Sequence, residues 1–411
     1  MKKLLCVLAL SIGFIPAAMA QGGPPRDNVI DGELYPKGYT PMGIKNGAYP
    51  RDYYPNTEKL GPNEMRIIAL GTGMPNVTTG KQAASGWYVE LGNGEKFLFD
   101  IGNGTMENLQ KLRPDWSKVT KAFASHLHAD HVGSFAELYI GGWMNGRYTP
   151  LHVWGPSGSE PRLGTKAFVE NQVKTWAWDT EGRRTGFPIE GGKVVAHEFD
   201  FRNEGVIYEE NGVKISSWPA IHVLDGSVSY RLDWNGLSFV FGGDTYPNKW
   251  FVKYAKGADV AVHECFFTPE TLAELLGTPY AQAIFITSYI HTPPQAFGKV
   301  MSAIKPRHAV GYHFWTWHDI LGPTRDAVRE TYDGPLTLAD DFHVWNVTKD
   351  QIVVRKAIVT DNVAPTGTTQ AYRAAKREDP SVATGWISPD INAGKWDGYT
   401  PPPLPKQPKK R

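Results

Sequence analysis

Short apolar runs recur through the middle of the chain, most of them closed by glycine or a polar turn. MRIIALG (65–71), GWYVELG (86–92), KFLFDIG (96–102), VTKAFASH (119–126), LHVWG (151–155), KVVAHEFDF (193–201), DVAVHECFF (259–267) and HAVGYHF (308–314) have the length and the β-branched and aromatic content of strands. Asn211-Gly212 and Asn235-Gly236 each separate two such runs, the signature of tight hairpins. Helical spacing predicts helices over 105–112, 131–140, 165–178, 248–255, 269–276, 293–304 and 324–332. Thr292 is the expected N-cap of the sixth, with Pro293 at its first position. Two strand-rich halves, each with helices to cover it, predict a sheet-on-sheet core between helical layers.

The ends lack this pattern. Lys2 and Lys3, an apolar run from Leu4, and Ala18 and Ala20 ahead of Gln21 read as a cleavable signal peptide over 1–20. The run is too short to be a stable membrane anchor, so a periplasmic or secreted protein is expected. Residues 21–64 and 359–411 are irregular and rich in proline or glycine, an arm and a tail around a folded body over 65–358. Cys6 leaves with the signal and Cys265 remains alone, so no internal disulfide can form. Stability must come from a hydrophobic core, and 14 tryptophans suit an aromatic-rich core or a wide aromatic pocket.

Charge narrows the partner. The whole chain has a formal charge of +1, and loss of Lys2 and Lys3 with the signal leaves −1. No global field draws in a polyanion, so nucleic acid is not favoured as a partner and a small-molecule ester is expected instead. The basic run PKQPKKR at the C-terminus reads as a solvated tail. Oligomeric state is left open, a homodimer included.

The chemistry concentrates in ASHLHADHVGS (124–134), which holds His126, His128, Asp130 and His131 within six residues. A strand end, a tight turn and a helix start would let four such side chains converge, whereas one continuous helix or strand would scatter them. His222, Asp244 and His313 each follow a later apolar run, and Asp100 ends KFLFD. Neutral imidazoles with a few carboxylates suit Zn²⁺ or a similar ion, and seven such residues exceed what one tetrahedral ion can use. Two ions are implied.

The His-x-His-x-Asp-His cluster, followed in order by His222, Asp244 and His313, resembles the metallo-β-lactamase superfamily. IALGTGMPN, FLFDIGNGT, PAIHVLDGSVSYRL, FGGDT, VHECFF and IHTPPQAFGKV are similar to successive motifs of its ribonuclease Z branch, which also contains zinc arylsulfatases. The resemblance implies an α/β fold, the αββα sandwich of two packed sheets flanked by helices, with two Zn²⁺ per chain. It implies one ion on His126, His128 and His222, a second on Asp130, His131 and His313, and Asp244 between them. Asp130 would also orient or deprotonate the bridging water. His291 would donate a proton with help from Glu264, and Asp100 would steady a ligand histidine. The chain departs from ribonuclease Z in lacking a strongly basic arm between His131 and His222, and in having Ile290-His291-Thr292 where that branch has Ser-His-Thr. The expected function is therefore an exported dinuclear zinc hydrolase of a phosphodiester or aryl sulfate-type ester. A ribonuclease Z-type endonuclease acting on transfer RNA 3′ ends, a lactonase or β-lactamase, and a non-catalytic metal-binding protein are the rivals.

Overall fold

The computed structural model describes residues 49–75 and 82–360, a two-residue strand pair at 29–30 and 33–34, and positions 391 and 393. The expected signal peptide, most of the arm and nearly all of the tail lie outside the described residues. Among the described residues, no helix is long and apolar enough to cross a membrane.

All eight apolar runs form strands. A nine-stranded sheet runs, in spatial order, Asp52–Tyr53, Ile352–Ala357, His343–Val347, Met65–Gly71, Gly86–Leu91, Lys96–Ile101, Lys121–Phe123, Leu151–Pro156 and Val194–Phe199. A seven-stranded sheet runs Gly205–Glu210, Val213–Pro219, Val228–Trp234, Leu237–Phe241, Val260–Glu264, His308–Tyr312 and Leu336–Leu338. Both predicted hairpins are present, and Asn211, Gly212, Asn235 and Gly236 have φ of 51°, 75°, 50° and 75°. Positive φ at both central residues belongs to the type I′ turn that matches strand twist.

The sheets pack face to face. Trp87, Phe97, Phe99 and Phe123 from the larger meet Tyr230, Phe239, Phe241 and Tyr312 from the smaller. Trp87 stands edge-on to Tyr312 at 5.7 Å between ring centroids, and Phe99 to Phe239 at 5.3 Å; such tilted pairs align ring edges with ring faces. Thr105–Lys111 and the segment at 135–140 bury apolar side chains on the larger sheet's outer face. Lys249–Tyr254, Pro294–Ile304 and His318–Arg329 do the same on the smaller sheet. The result is the αββα sandwich.

Several boundaries moved. Asp52–Tyr53, expected in the arm, pairs in parallel with Lys356–Ala357. The helix expected over 131–140 is a short turn, Ala129–Val132, followed by a π-helical stretch, Glu137–Gly141. The one expected over 165–178 divides into Thr165–Thr175 and Ala177–Arg183. The last, expected over 324–332, spans His318–Arg329 with Pro323 inside it. Thr292 is not an N-cap: Pro293 takes that position with Pro294 next, and the Thr292 hydroxyl instead donates to the Thr245 carbonyl at 2.6 Å.

Strand direction gathers the chemistry. Lys96–Ile101 pairs in parallel with Lys121–Phe123, and Leu237–Phe241, Val260–Glu264 and His308–Tyr312 are mutually parallel. Their carboxyl ends open at one edge of the sandwich, where a parallel arrangement exposes functional loops.

Burial also sets an acid limit. His308 and His343 are held neutral, pulled from 6.5 to about 4 mainly by burial, with His343 and Lys356 respectively adding to the effect. Below about pH 6.5 the unfolded chain takes up protons that the folded chain refuses. Stability should therefore be fully present above pH 6.5 and fall as pH drops to about 4. In urea titrations across that range, a His343→Gln variant should lose less stability on acidification than the parent.

Candidate active site

The peptide after Lys121–Phe123 must turn sharply to present its histidines. Gly102 allows this, since a Cβ there would stand 1.9 Å from the Asp130 carbonyl oxygen. That carbonyl accepts the Ser85 N–H at 3.0 Å, which pins the turn to the neighbouring strand. His128 remains extended and Ala129–Val132 begins immediately after it, so His126, His128 and His131 point into one space from three backbone environments.

Three imidazoles meet first. His126 Nε2 lies 3.0 Å from His128 Nδ1, and His222 Nε2 lies 3.3 Å from the same atom. Burial holds the pKa of His126 well below its ordinary value and lowers that of His222 to about 4. The rings are therefore neutral and offer lone pairs. Ligands on one tetrahedral zinc ion, with Zn–N near 2.0–2.1 Å, stand about 3.3 Å apart.

A second group lies alongside, with Asp244 shared. His131 Nε2 is 3.3 Å from Asp130 Oδ2 and 3.3 Å from Asp244 Oδ1. His313 Nε2 is 3.3 Å from Asp130 Oδ2 and 3.3 Å from Asp244 Oδ2. Asp244 Oδ2 also lies 3.8 Å from His222 Nε2. His131 Nδ1 donates to Asp100 at 2.6 Å, which turns Nε2 toward two carboxylates. His131 Nε2 and Asp244 Oδ1 are buried without a hydrogen-bond partner, and orphaned buried acceptors are costly.

The pocket is built for positive charge. Burial alone would favour neutral His131, yet Asp244, Asp130 and Asp100 outweigh it and hold its pKa well above the usual value. Burial would likewise raise Asp244, but His313 and His131 hold it well below the carboxylate range. The donor set, the spacings and the orphaned acceptors all fit divalent ions, with His126, His128, His222 and Asp244 around one position and Asp130, His131, Asp244 and His313 around the other.

His291 and Glu264 stand beside this centre. His291 Nδ1 is 2.6 Å from Glu264 Oε2, and Glu264 Oε1 accepts the Thr245 N–H at 2.6 Å. Burial and the nearby Asp244 push Glu264 well above its ordinary pKa, and burial lowers His291. Phe266 stacks on the His291 ring at 4.3 Å and 9°, which fixes its plane.

Every residue singled out from sequence thus reaches one region, Asp100 included. Sequence reasoning missed Ser125, whose N–H and hydroxyl donate to Asp100 at 2.7 and 2.8 Å, and Phe266, although both lie within the quoted motifs. A surface cavity of about 660 Å³ beside Thr105–Lys111 contains none of these residues, whereas a smaller cleft of about 180 Å³ is lined by His126, His128 and His222.

With this geometry in place, likeness to known proteins becomes interpretable. The family described as anti-Pycsar protein Apyc1 matches residues 65–295, more than half of the chain. The chain belongs to the anti-Pycsar protein Apyc1 family. Among its relatives, ribonuclease Z of Mycolicibacterium gilvum is 27% identical over 203 residues, covering 48% of this chain and 68% of that protein. Ribonuclease Z of Haloferax volcanii is 27% identical over 311 residues, 67% of this chain and 93% of that protein. Two solved structures share the fold: the metallo-β-lactamase fold protein YhfI from Bacillus subtilis, with TM-score 0.51 and 17% identity over 69% of this chain and all of that one, and the short form of human tRNase Z, with TM-score 0.51 and 19% identity over 68% and 98%. The chain therefore has the metallo-β-lactamase fold, and relatives named ribonuclease Z align with it.

Gly102→Ala tests how tightly the turn is built. The new methyl must displace the Asp130 carbonyl, an overpacking defect that should cost about 1–3 kcal/mol in urea unfolding. Divalent-ion binding by the same variant, read by chelator competition, should weaken as Asp130 moves.

Proposed function

We propose that the protein is an exported hydrolase holding two zinc ions, which cleaves a small phosphodiester or aryl sulfate-type ester. The observation that carries this reading is the convergence of seven metal-ligating side chains with orphaned acceptors, next to a histidine whose far ring nitrogen is left for a substrate. His126, His128 and His222 would hold one ion, Asp130, His131 and His313 the other, and Asp244 both. Two such ions acidify a water and neutralise charge on the oxygens of an ester.

The remaining chemistry belongs to the chain. Asp130 Oδ2 lies between His131 and His313, where its carboxylate can orient the attacking water and take its proton. His291, with Nδ1 held by Glu264, presents Nε2 as the proton donor to the leaving oxygen. Asp100 fixes the His131 ring through Nδ1, as outer partners of metal-ligating histidines commonly do.

The surroundings support a small, partly apolar substrate. Ile221, Val223 and Leu224 flank His222, Tyr246 follows Asp244, Tyr289 precedes His291 and Trp317 follows His313, and all six are exposed. Trp317 stacks on Trp315 at 4.7 Å, a ready platform for a flat group. The relatives named ribonuclease Z favour a second reading, cleavage of transfer RNA precursors. The balanced charge and the apolar rim support the small ester over it, and the leader-like first twenty residues support export.

Three outcomes are expected. Elemental analysis of the purified protein should find close to two divalent ions per chain, and a panel of aryl phosphodiesters, aryl sulfates, lactones, β-lactams and precursor transfer RNA should show turnover concentrated in the first two. Efficient cleavage of the RNA at its 3′ end would replace the small ester. His291→Ala should slow the reaction by about a hundredfold to ten-thousandfold, roughly 3 to 5 kcal/mol, with both ions retained. The loss should shrink for nitrophenolate leaving groups, which need little protonation; equal slowing of good and poor leaving groups would remove the proton-donor role.

A further inference from the structure

The turn between Leu336–Leu338 and His343–Val347 carries the chain from one sheet to the other, and Asp341 is buried in it. Four donors converge on its carboxylate. Oδ1 accepts the Thr72 N–H at 3.0 Å and the Thr72 hydroxyl at 2.9 Å. Oδ2 accepts the Ala83 N–H at 2.7 Å and Asn108 Nδ2 at 3.0 Å.

Thr72 passes this anchorage on. Its carbonyl accepts the N–H of His313 at 2.9 Å. Gln82 reinforces the link, since its Nε2 donates to the Thr72 hydroxyl at 3.0 Å and to the Phe314 carbonyl at 2.9 Å, while its Oε1 accepts the Thr316 N–H at 3.1 Å. His313 needs such ties because its φ is 72°, a left-handed conformation that is strained for a residue with a Cβ and persists only when its surroundings impose it.

We propose that Asp341 is a positioning residue for the reaction: through Thr72 it holds His313 in this conformation, so that His313 Nε2 meets Asp130 and Asp244. The inference rests on the two-ion reading given above. Asp341 touches no residue of the centre, and its effect reaches only the ion held by Asp130, His131 and His313. The ion at His126, His128 and His222 is reached by other strands.

Selective metal loss is the signature, and a merely structural role would not produce it. Asp341→Asn keeps the shape of the side chain but sets an amide NH₂ against donors. Holoprotein would be dialysed at pH 8 against graded chelator and its zinc counted by elemental analysis. The parent should keep two ions, whereas the variant should lose one at roughly ten- to a hundredfold lower chelator activity, the range typical of outer-partner mutations, and keep the other at the parental affinity. Thr72→Val removes only the hydroxyl donor and should show a smaller shift in the same direction, which serves if Asp341→Asn does not fold. Asn108→Ala cuts a donor that does not lead to His313, and should lower thermal stability with both ion affinities intact. Equal loss of both ions, no loss, or the same selective loss in Asn108→Ala would overturn the assignment while leaving the two-ion reading standing. A parent that holds fewer than two ions would sink that reading and this inference with it.

Discussion

Acceptors that face one another at about 3.3 Å in a buried pocket are the constraint on which the rest of this protein depends. Three imidazole nitrogens converge on one point, and two more converge with the Asp130 and Asp244 carboxylates on another. Such an arrangement repels itself unless positive charge sits within it. The outer partners answer the same need. Asp100, itself held by two donors from Ser125, commits the His131 proton to Nδ1 and so frees Nε2. Glu264 holds His291 through Nδ1, with its second oxygen taken up by the Thr245 N–H.

Holding these groups in place demands a rigid frame, and the sandwich supplies it. Interlocked aromatic rings fill the space between the sheets, with Trp87 in contact with Phe241, Tyr312 and Trp345 together. Close packing of this kind allows strain to be stored where function needs it. Asp100 and His313 both have positive φ, 56° and 72°, and both lie at the ends of strands rooted in that core. Close approaches at Gly102 and at Gly243, whose Cβ would stand 2.6 Å from Ser125 Cβ, let backbone and ligand loops come together.

The same edge carries features that bear on substrate. Exposed apolar residues lie on the same loops as the ligands, with Ile221, Val223 and Leu224 beside His222 and Tyr246 close after Asp244. Thr292 ties the His291 loop to the Asp244 loop through the Thr245 carbonyl, which couples the position of the proton donor to that of the shared carboxylate. Replacement of the branch's serine by Ile290 does not disturb that tie.

Strands and chemistry were legible from residues alone because both are written locally. Apolar runs of strand length, two Asn-Gly turns and a histidine cluster after an apolar run each declare themselves within about ten residues. The order of His222, Asp244 and His313 after the cluster was enough to nominate them together. Helix boundaries were less legible: the last helix was expected from 324 and begins at His318, and Thr292 looked like a cap and instead spans two loops. The edge strand Asp52–Tyr53 is invisible in sequence, since two residues next to Pro-rich chain form a strand only because Lys356–Ala357 lies beside them. Sequence determined the element types, the sandwich class and the identity of the chemical groups, because periodicity and residue type are properties of a short stretch of chain. Tertiary structure alone decided which nitrogen of each histidine faces the centre, which acceptors are orphaned, and that Asp341, 269 residues from Thr72, stands behind His313. Those depend on distances between segments remote in sequence, which packing sets and no local pattern encodes.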